Sequence, residues 1–397
     1  MNPISDIQTA PPASALRTLR ALQIGVGWLP DEKGAGLDRV FYALAQHLPE
    51  AGVEGKGLVV GRSDVGARTD GRVQAFSPHD ASLPSRLRAV RAATKAELAG
   101  GAFDLVAAHF ALFAFPALGA LKRTPLVVHF HGPWAAESQA EGEAGLAVKA
   151  KWLLERTVYR RAERLIVLSE AFRNVLVASY GIDPDRIRIV RGGVHLERFT
   201  VAGTRADARR RLGWPVDRPT LLVVRRLARR MGLENLIDAM EEVRRAHPDA
   251  LLMIAGSGPI RDELQARIVE RNLSEQVRLL GFVAEEDLPW AYAAADFSIV
   301  PTVALEGFGL ITVESMATGT PVLVTNIGGL PEVVRDLSED LIMPDAAPAT
   351  LAQYIGEVLG GHLKLPTAEA CRRFVEERYT WTAIARQTRD VYEEVVR

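Results

Sequence analysis

The stretch DFSIVPTVALEGFGLITVESMATGTPVLVTNIGGLP, residues 296–331, decides the fold of this chain. Its opening apolar run, Phe297–Val300, predicts a buried strand. The segment Leu310–Thr318 predicts a helix that ends at Gly319, and Val322–Thr325 predicts a second strand. A strand, a loop, a helix and another strand in this order are typical of a parallel sheet covered by helices.

Two carboxylates lie around the start of the predicted helix. Glu306 and Glu314 have seven residues between them, and Gly307 and Gly309 follow the first of the two. Ligands of open α/β sheets bind at the carboxyl ends of the strands, helix N-termini attract anions, and glycines let the backbone approach a ligand closely. A site for phosphate alone would not contain two carboxylates, whereas a carboxylate accepts hydrogen bonds from a diol. The pattern therefore predicts a ligand with both phosphate and hydroxyl groups, such as a nucleotide sugar.

The same residues carry a family resemblance. EGFGLITVE, followed by GTPV and GGLPE, resembles the E-x7-E signature of the retaining glycosyltransferases of family 4, which have the GT-B fold. The resemblance covers nearly the whole chain and is stronger in the second half. It implies an α/β enzyme with two doubly wound Rossmann-like domains and a cleft between them. The alternative is a surface helix with two solvated glutamates.

Composition and net charge limit the class of protein further. The chain has 397 residues, 48% of them hydrophobic, a formal net charge of −1 and one cysteine, Cys371. The charge favours neither nucleic acid nor a membrane, and a single cysteine excludes an intramolecular disulfide. No apolar run approaches the ~20 residues that cross a bilayer. We expect a cytoplasmic protein, although the basic segments Arg86–Lys95 and Lys149–Arg164 leave open a weak peripheral contact with anionic lipids at the inner face of the membrane.

Strand-length apolar runs alternate with helical patterns throughout the chain, which predicts two doubly wound domains rather than one very wide sheet. We expect a disordered tail (1–18), an acceptor-binding domain (19–200), a donor-binding domain (201–378) and a final helix (379–397). By resemblance, that helix crosses back to the first domain. The predicted strands are Leu22–Val26, Leu58–Val60, Val73–Phe76, Leu105–His109, Leu126–Phe130, Leu165–Leu168, Ile187–Val190, Leu221–Val224, Leu251–Ala255, Val277–Leu280, Phe297–Val300 and Val322–Thr325. The linker is expected near Thr200–Asp207.

Two glycine loops occur in the first domain. Gly25-Val26-Gly27 is an incomplete dinucleotide fingerprint, with Pro30 at the third glycine position, and is weak evidence for NAD. Gly34, Ala35 and Gly36 precede a predicted helix, and such a turn suits a diphosphate. This loop resembles the Gly-Gly loop of GT-B transferases. A plain turn is the alternative.

Histidines end two successive predicted strands. His131, followed by a glycine, matches the family's position beside the donor sugar, so the resemblance implies that it orients the sugar. His109 is expected to contact the acceptor. His129 lies two residues before His131, on the same face of the strand but deeper in the sheet.

Four arginines follow the first strand of the second domain, in RRLARRMG. The family pattern here is Gly-Arg-Leu, then Lys-Gly. By resemblance, Arg226 is the family's phosphate-binding arginine and Gly232 aligns as well, but Arg225 stands at the pattern's glycine and Met231 occupies the place of its lysine. We expect Arg230 to supply the missing cation and Arg229 to be its solvated neighbour. Glu314 is expected to bind the ribose diol and Glu306 the hydroxyls of the donor sugar. Further donor-binding residues implied by the resemblance are Gly256, Gly258, Phe282, Val283, Gly307, Phe308, Gly309 and Leu310.

Several functions remain open at this point. The first is transfer of a sugar from a nucleoside-diphosphate sugar to a hydroxyl acceptor, without a cofactor, a metal or a protein nucleophile. Asp183-Pro184-Asp185 has the form of a metal motif but lies in a predicted turn. A nucleotide-sugar epimerase with the same fold is a second candidate, and a non-catalytic nucleotide-sugar-binding partner subunit is a third. A glycosidase is disfavoured by the arginines and the glycine loops.

Overall fold

The computed structural model describes residues 17–29, 36–101 and 103–396. The strands described in the first half are β1 (Leu19–Ile24), β2 (Val53–Val60), β3 (Val73–Ser77), β4 (Leu105–Ala108), β5 (Leu126–Phe130), β6 (Arg164–Val167) and β7 (Ile187–Ile189). Those of the second half are β8 (Thr220–Val224), β9 (Leu251–Ala255), β10 (Val277–Gly281), β11 (Phe297–Val300), β12 (Val322–Thr325) and β13 (Ile342–Met343).

Helices alternate with these strands. The first half contains α1 (Gly36–His47), α2 (Val65–Arg68), α3 (Leu83–Ala99), α4 (Ala111–Leu121), α5 (Trp134–Ala140), α6 (Leu146–Arg161) and α7 (Glu170–Tyr180). The second half contains α8 (Arg205–Leu212), α9 (Leu233–Ala246), α10 (Arg261–Glu270), α11 (Leu288–Ala294), α12 (Leu310–Ala317), α13 (Leu330–Val334), α14 (Pro348–Leu359), α15 (Ala368–Arg378) and α16 (Trp381–Val396). Among the described residues, none of these helices combines the length and apolar character needed to span a membrane.

The described strands form two parallel sheets. The order is β3-β2-β1-β4-β5-β6-β7 in the seven-stranded first sheet and β10-β9-β8-β11-β12-β13 in the six-stranded second sheet. Neighbouring strands are parallel throughout both sheets. This arrangement confirms the predicted α/β class with two doubly wound domains.

The strand order reverses between β1 and β4 in the first sheet and between β8 and β11 in the second. Ligands of open α/β sheets bind outside the carboxyl ends of strands at such reversal points. His109 directly follows β4, Arg225 directly follows β8, and Glu306 lies in the loop after β11. The topology therefore brings the candidate site residues to the expected edges of both sheets.

The stretch that decides the fold has the predicted elements. β11, α12 and β12 occur in the expected order, and all residues of β11 and β12 are buried. Continuous burial is typical of parallel strands that helices cover on both faces. Gly319 has φ +85°, and a Cβ there would lie 2.7 Å from Arg372 Nη2. Glycine suits this turn from α12 into β12, because any other side chain would be strained at this φ.

Other boundaries differ from the predictions. β1 starts at Leu19 rather than Leu22, and the two-residue strand β13 was not predicted. The expected linker already contains the start of α8, because Thr204 and Asp207 form a reciprocal capping box. Residues 1–16, most of the predicted tail, lie outside the described part of the chain.

The last helix, α16, packs against the first domain. Its Trp381 and Ile384 belong to the same hydrophobic cluster as Leu19 of β1. Glu394 forms ion pairs with Arg164 (2.7 Å) and Arg188 (2.8 Å). The chain thus returns from the second domain to the first.

A buried hydrogen bond holds α16 against the first domain. The Tyr392 hydroxyl of α16 lies 2.8 Å from His129 Nε2 of β5. Burial, with a smaller effect of His131, holds the pKa of His129 well below its usual value, so the ring is neutral at pH 7. We expect Tyr392→Phe to lower the free energy of unfolding by about 1–3 kcal/mol, because it leaves a buried nitrogen unpaired. Urea denaturation at pH 7.5 measures the change. Tyr354→Phe on α14, where the ring is half-buried, is the matched control, and an equal loss in both variants would contradict the assignment.

Candidate functional site

The centre of the site is a buried ion pair in the second domain. Arg225 Nη2 lies 2.7 Å from Glu306 Oε2, and the side chains are 7% and 15% exposed, respectively. Burial alone raises the pKa of Glu306, but the charge and hydrogen bond of Arg225 oppose it. Arg230 and the backbone N–H of Phe308 act in the same direction as Arg225, so the pKa is lowered overall. Glu306 is therefore a carboxylate ion at neutral pH.

The loop before Glu306 is held in a strained conformation. Leu305 has φ +56°, in the left-handed region that non-glycine residues rarely adopt. Its carbonyl oxygen accepts a hydrogen bond from Arg230 Nη1 at 2.9 Å. Strain of this kind persists only where neighbouring contacts impose it, and it is common at functional sites.

Arg230 reaches from this loop to the first domain. Its Nη2 lies 3.4 Å from Glu137 Oε1, and its Nε lies 3.7 Å from Glu141 Oε1. Burial raises the pKa of Glu137, and the charge of Arg230 offsets part of that effect. Arg229 instead points outward and pairs with Glu263 at 2.7 Å. Arg230 thus lies in the cleft, and Arg229 lies outside it.

Arg226 is exposed and forms no ion pair with a described residue. Its charge nevertheless lowers the pKa of Glu137, as does that of Arg230, while Glu306 raises it. Arg226, Arg230 and Glu306 thus all influence the same first-domain carboxyl, and Arg230 also contacts it directly. An exposed guanidinium at this position can bind an incoming anion without first losing a protein partner.

Glu314 is buried on α12 and contacts both domains. Its Oε1 lies 3.4 Å from Arg39 Nη1, and its Oε2 accepts a hydrogen bond from the Tyr292 hydroxyl at 3.3 Å. Arg39 also pairs with Glu285, which in turn pairs with Arg198. Arg39 belongs to α1 of the first domain, so these contacts bridge the cleft.

The three histidines of the first domain stack beside one another. The ring centroids of His109 and His129 are 4.2 Å apart, and those of His109 and His131 are 5.4 Å apart. His109 Nδ1 lies 3.2 Å from His131 Nε2, and His109 Nε2 lies 3.3 Å from Gln23 Oε1. With the Gln23 amide oriented so that Oε1 accepts, His109 donates through Nε2 and accepts from His131, which leaves His131 Nδ1 as an acceptor.

This geometry corrects the interpretation of His109. Its side chain is 1% exposed and lies behind His131, so the expected direct contact with an acceptor does not fit its position. The sequence correctly predicts that His109 lies at the end of a strand, but it does not show how deeply the ring is buried. His109 instead holds the ring of His131.

His131 connects the histidines to the cleft. Burial lowers its pKa to about 4, so the imidazole is neutral at pH 7. A Cβ on the following residue, Gly132, would lie 2.5 Å from Glu137 Oε1. Glu137 also contacts Arg230 and is influenced by the charges of Arg226 and Glu306. The predicted catalytic residues His131, Arg226, Arg230 and Glu306 are therefore all linked to Glu137, directly, through Gly132 or through charge.

Glycines allow the loops around this space to touch. A Cβ at Gly256 would collide with the carbonyl oxygen of Arg225, and one at Gly258 with that of Leu227. Gly328 packs against the Glu306 carbonyl in the same way, and the Gly329 N–H donates to that carbonyl oxygen at 2.9 Å. These close approaches explain the glycine spacing, while the donor contacts of Gly256 and Gly258 stay predictions.

The other predicted donor-binding residues differ in position. The Phe308 side chain is 1% exposed and packs on Tyr379 with ring centroids 5.6 Å apart, so its side chain is part of the core and not of a donor surface. The expected contact is thereby reduced to its backbone. Phe282 is exposed, Val283 and Leu310 are half-buried, and Gly307 packs against Phe172.

The remaining predicted residues are of two kinds. Gly34 and Ala35 lie outside the described residues, and Gly36 is the first residue of α1. Asp183 accepts a hydrogen bond from the Asp185 N–H at 3.0 Å at the start of a short 3-10 helix, as its predicted turn role requires. In the part of the chain that the structure describes, no three His, Cys, Asp or Glu side chains are grouped as metal ligands would be.

Sequence reasoning missed four residues of the site: Arg225, Arg39, Glu137 and Tyr292. Arg225 belongs to the arginine run Arg225–Arg230 and stands where the family pattern has glycine, and that departure is a signal in the sequence. The other three come from separate elements, α1, α5 and α11. Nothing in their local sequence indicates that they meet Glu306 or Glu314.

Comparisons with known proteins identify the family of this chain. The model described as Glycosyltransferase Family 4 matches residues 34–198, and the model described as Glycosyl transferases group 1 matches residues 204–381. The D-inositol 3-phosphate glycosyltransferase of Streptomyces bingchenggensis is 31% identical over 332 residues, which are 79% of this chain and 72% of that protein. The enzyme of the same name from Nocardia farcinica is 31% identical over 350 residues, covering 84% of this chain and 75% of that protein.

Solved structures share the fold. Sucrose-phosphate synthase from Thermosynechococcus elongatus matches with a TM-score of 0.77 and 23% identity over 95% of this chain and 99% of that chain. Anabaena HepE in complex with UDP and glucose matches with a TM-score of 0.77 and 20% identity over 95% of this chain and 100% of that chain. From the matched models, the relatives and the two-domain architecture we conclude that this chain belongs to glycosyltransferase family 4 and is a transferase with the GT-B fold.

Proposed function

We propose that this enzyme moves a sugar from a nucleoside-diphosphate sugar to a hydroxyl acceptor with retention of the anomeric configuration. The observation that carries the proposal is the arrangement of Glu306 and Glu314, one paired with Arg225 and the other with Arg39 and Tyr292. Both carboxylates come after β11 in the chain, and the strand order of the second sheet reverses between β8 and β11. A bound nucleotide is expected at the carboxyl ends of strands at such a point. HepE, which has the same fold, binds UDP.

Each group has a defined task in this proposal. Glu314 accepts hydrogen bonds from the ribose diol, and Glu306 accepts them from hydroxyls of the donor sugar. Neutral His131 presents Nδ1 as an acceptor to a sugar hydroxyl. Arg226 pairs with the diphosphate, and the N-terminal ends of α1 and α12 add partial positive charge.

The proposed reaction needs no protein nucleophile. The bond between the anomeric carbon and the phosphate oxygen breaks, and the acceptor oxygen bonds to that carbon on the same face. The acceptor's proton passes to the departing phosphate oxygen, so the atoms and charges balance. Negative charge accumulates on the diphosphate, where Arg226 and the helix ends stabilise it. Closure of the cleft excludes water and so limits hydrolysis.

The acceptor and the location belong to the same proposal. D-inositol 3-phosphate, named for the relatives above, is the first acceptor to assay, and UDP-sugars are the first donors. Analysis of products formed from the donor alone separates transfer from the epimerase alternative.

We place the reaction in the cytoplasm, with a weak contact between α6 and anionic lipids as a secondary proposal. α6 exposes Leu146 (84%) and Leu153 (56%) together with Lys149 and Arg160. Exposed apolar and basic side chains on one helix suit the surface of an anionic membrane. Co-sedimentation with anionic and neutral vesicles tests this contact.

The two glutamates should act on different parts of the donor. We expect Glu314→Gln to weaken binding of the free nucleoside diphosphate, because it removes the carboxylate assigned to the ribose. Glu306→Gln should lower turnover of the nucleotide sugar. It should leave nucleotide binding nearly unchanged, because the amide oxygen of glutamine can still accept a hydrogen bond from Arg225. Isothermal calorimetry with UDP, and with GDP, ADP and dTDP if UDP does not bind, measures the first effect. Equal losses of nucleotide affinity in both variants would refute the division, provided that thermal unfolding shows both to be folded.

The proposed charge stabilisation also predicts independence from divalent metals. Arginines and helix ends face the diphosphate, so turnover should stay nearly intact after EDTA treatment of the purified enzyme. The measurement is the rate of release of the nucleoside diphosphate before and after EDTA. A rate that EDTA abolishes and Mg²⁺ or Mn²⁺ restores would rule out this part of the proposal.

A further inference from the structure

Arg225 has an unusual environment for an arginine. Its Nη2 lies 2.7 Å from Glu306 Oε2, 2.8 Å from Thr302 Oγ1 and 2.6 Å from the thioether sulfur of Met231. Thr302 and Met231 are themselves buried. One nitrogen therefore makes all three of these contacts, at the carboxyl edge of the second sheet.

The rest of the guanidinium still has donors to offer. Nε of Arg225 is buried and makes no hydrogen bond with any described residue. A guanidinium carries five N–H donors, and a buried donor without a partner is costly. Such a group is stabilised when an acceptor enters the site, and an anion with several oxygens is the acceptor that suits a guanidinium best.

Met231 connects this observation to the sequence. Position 231 is where the family pattern has lysine, and position 225 is where it has glycine. In this chain both are changed together, and the Arg225 guanidinium touches the Met231 sulfur. An ammonium group on residue 231 would extend into the position that the guanidinium occupies, so the two cations exclude one another here.

Arg230, the expected substitute, is engaged differently. Its Nη1 donates to the Leu305 carbonyl oxygen, and its other nitrogens approach Glu137 and Glu141. Its guanidinium therefore holds the strained loop and bridges to the first domain. Arg225, and not Arg230, is therefore the arginine whose guanidinium contacts the Met231 side chain.

We propose that Arg225, and not Arg230, replaces the missing lysine as the second cation of the diphosphate site. This inference rests on the proposed function, because it assigns a contact within the same donor site. Arg226 binds the diphosphate from the exposed side of the loop, and Arg225 binds it from the buried side. Its pairing with Glu306 keeps the carboxylate and the guanidinium in fixed positions before the donor arrives.

An exchange of the two residues tests the proposal. The affinity for UDP, or for GDP, ADP or dTDP if one of these binds instead, is measured by calorimetry for four proteins: wild type, Arg225→Gly, Met231→Lys and the double variant. We expect Arg225→Gly to weaken binding by about 10- to 100-fold, the usual effect of losing a hydrogen bond between charged groups. Met231→Lys should also weaken binding, because it places two cations in contact. The double variant should bind within a few-fold of wild type, since it restores one cation at the same place.

Arg229→Gly is the matched control in the same loop. Its side chain is exposed and lies outside the cleft, so we expect no change in affinity. Thermal unfolding of every variant confirms that it is folded. Unchanged affinity of Arg225→Gly, or a folded double variant that binds no better than Arg225→Gly, would overturn the assignment. A wild-type protein that binds none of the four nucleotides would instead overturn the proposed function and, with it, this inference.

Discussion

The buried ion pair between Arg225 and Glu306 is the constraint on which the rest of the site depends. A carboxylate that is 15% exposed needs a partner to remain charged, and Arg225 provides it at 2.7 Å. Removing one partner of a buried pair typically costs about 3–5 kcal/mol, because the other charge stays behind. The surrounding loops approach closely enough to hold this pair only because Gly256 and Gly328 lack a side chain.

The two domains are joined around this pair by charged contacts that span the cleft. Arg39 contacts Glu314, Arg230 contacts Glu137, and Glu332 accepts hydrogen bonds from the first two N–H groups of α7. A ribose bound to Glu314 must therefore share that carboxylate with Arg39 or displace it. In the described conformation, protein groups thus satisfy Glu306 and Glu314. On the proposed function, a bound donor would exchange some of those partners for its own hydroxyls.

The sequence predicted what local pattern controls and missed what distant residues decide. β11, α12, β12 and α16 were found because periodicity and capping glycines mark them. A two-residue edge strand such as β13 leaves no periodic signal. The depth of His109, the core position of the Phe308 ring and the engagement of Arg225 depend on contacts with residues far away in the chain. Local sequence patterns do not encode such contacts, so the three-dimensional structure is needed to find them.

The central claim is that the cleft at Glu306 and Glu314 is a nucleotide-sugar donor site. A thermal-shift panel of UDP, GDP, ADP and dTDP tests it most directly, because a ligand that binds the folded state stabilises it by about 2.7 kcal/mol at a concentration 100 times its dissociation constant. We expect at least one of the four to raise the melting temperature of the wild-type protein in a concentration-dependent way. No shift with any of them at millimolar concentration would contradict it.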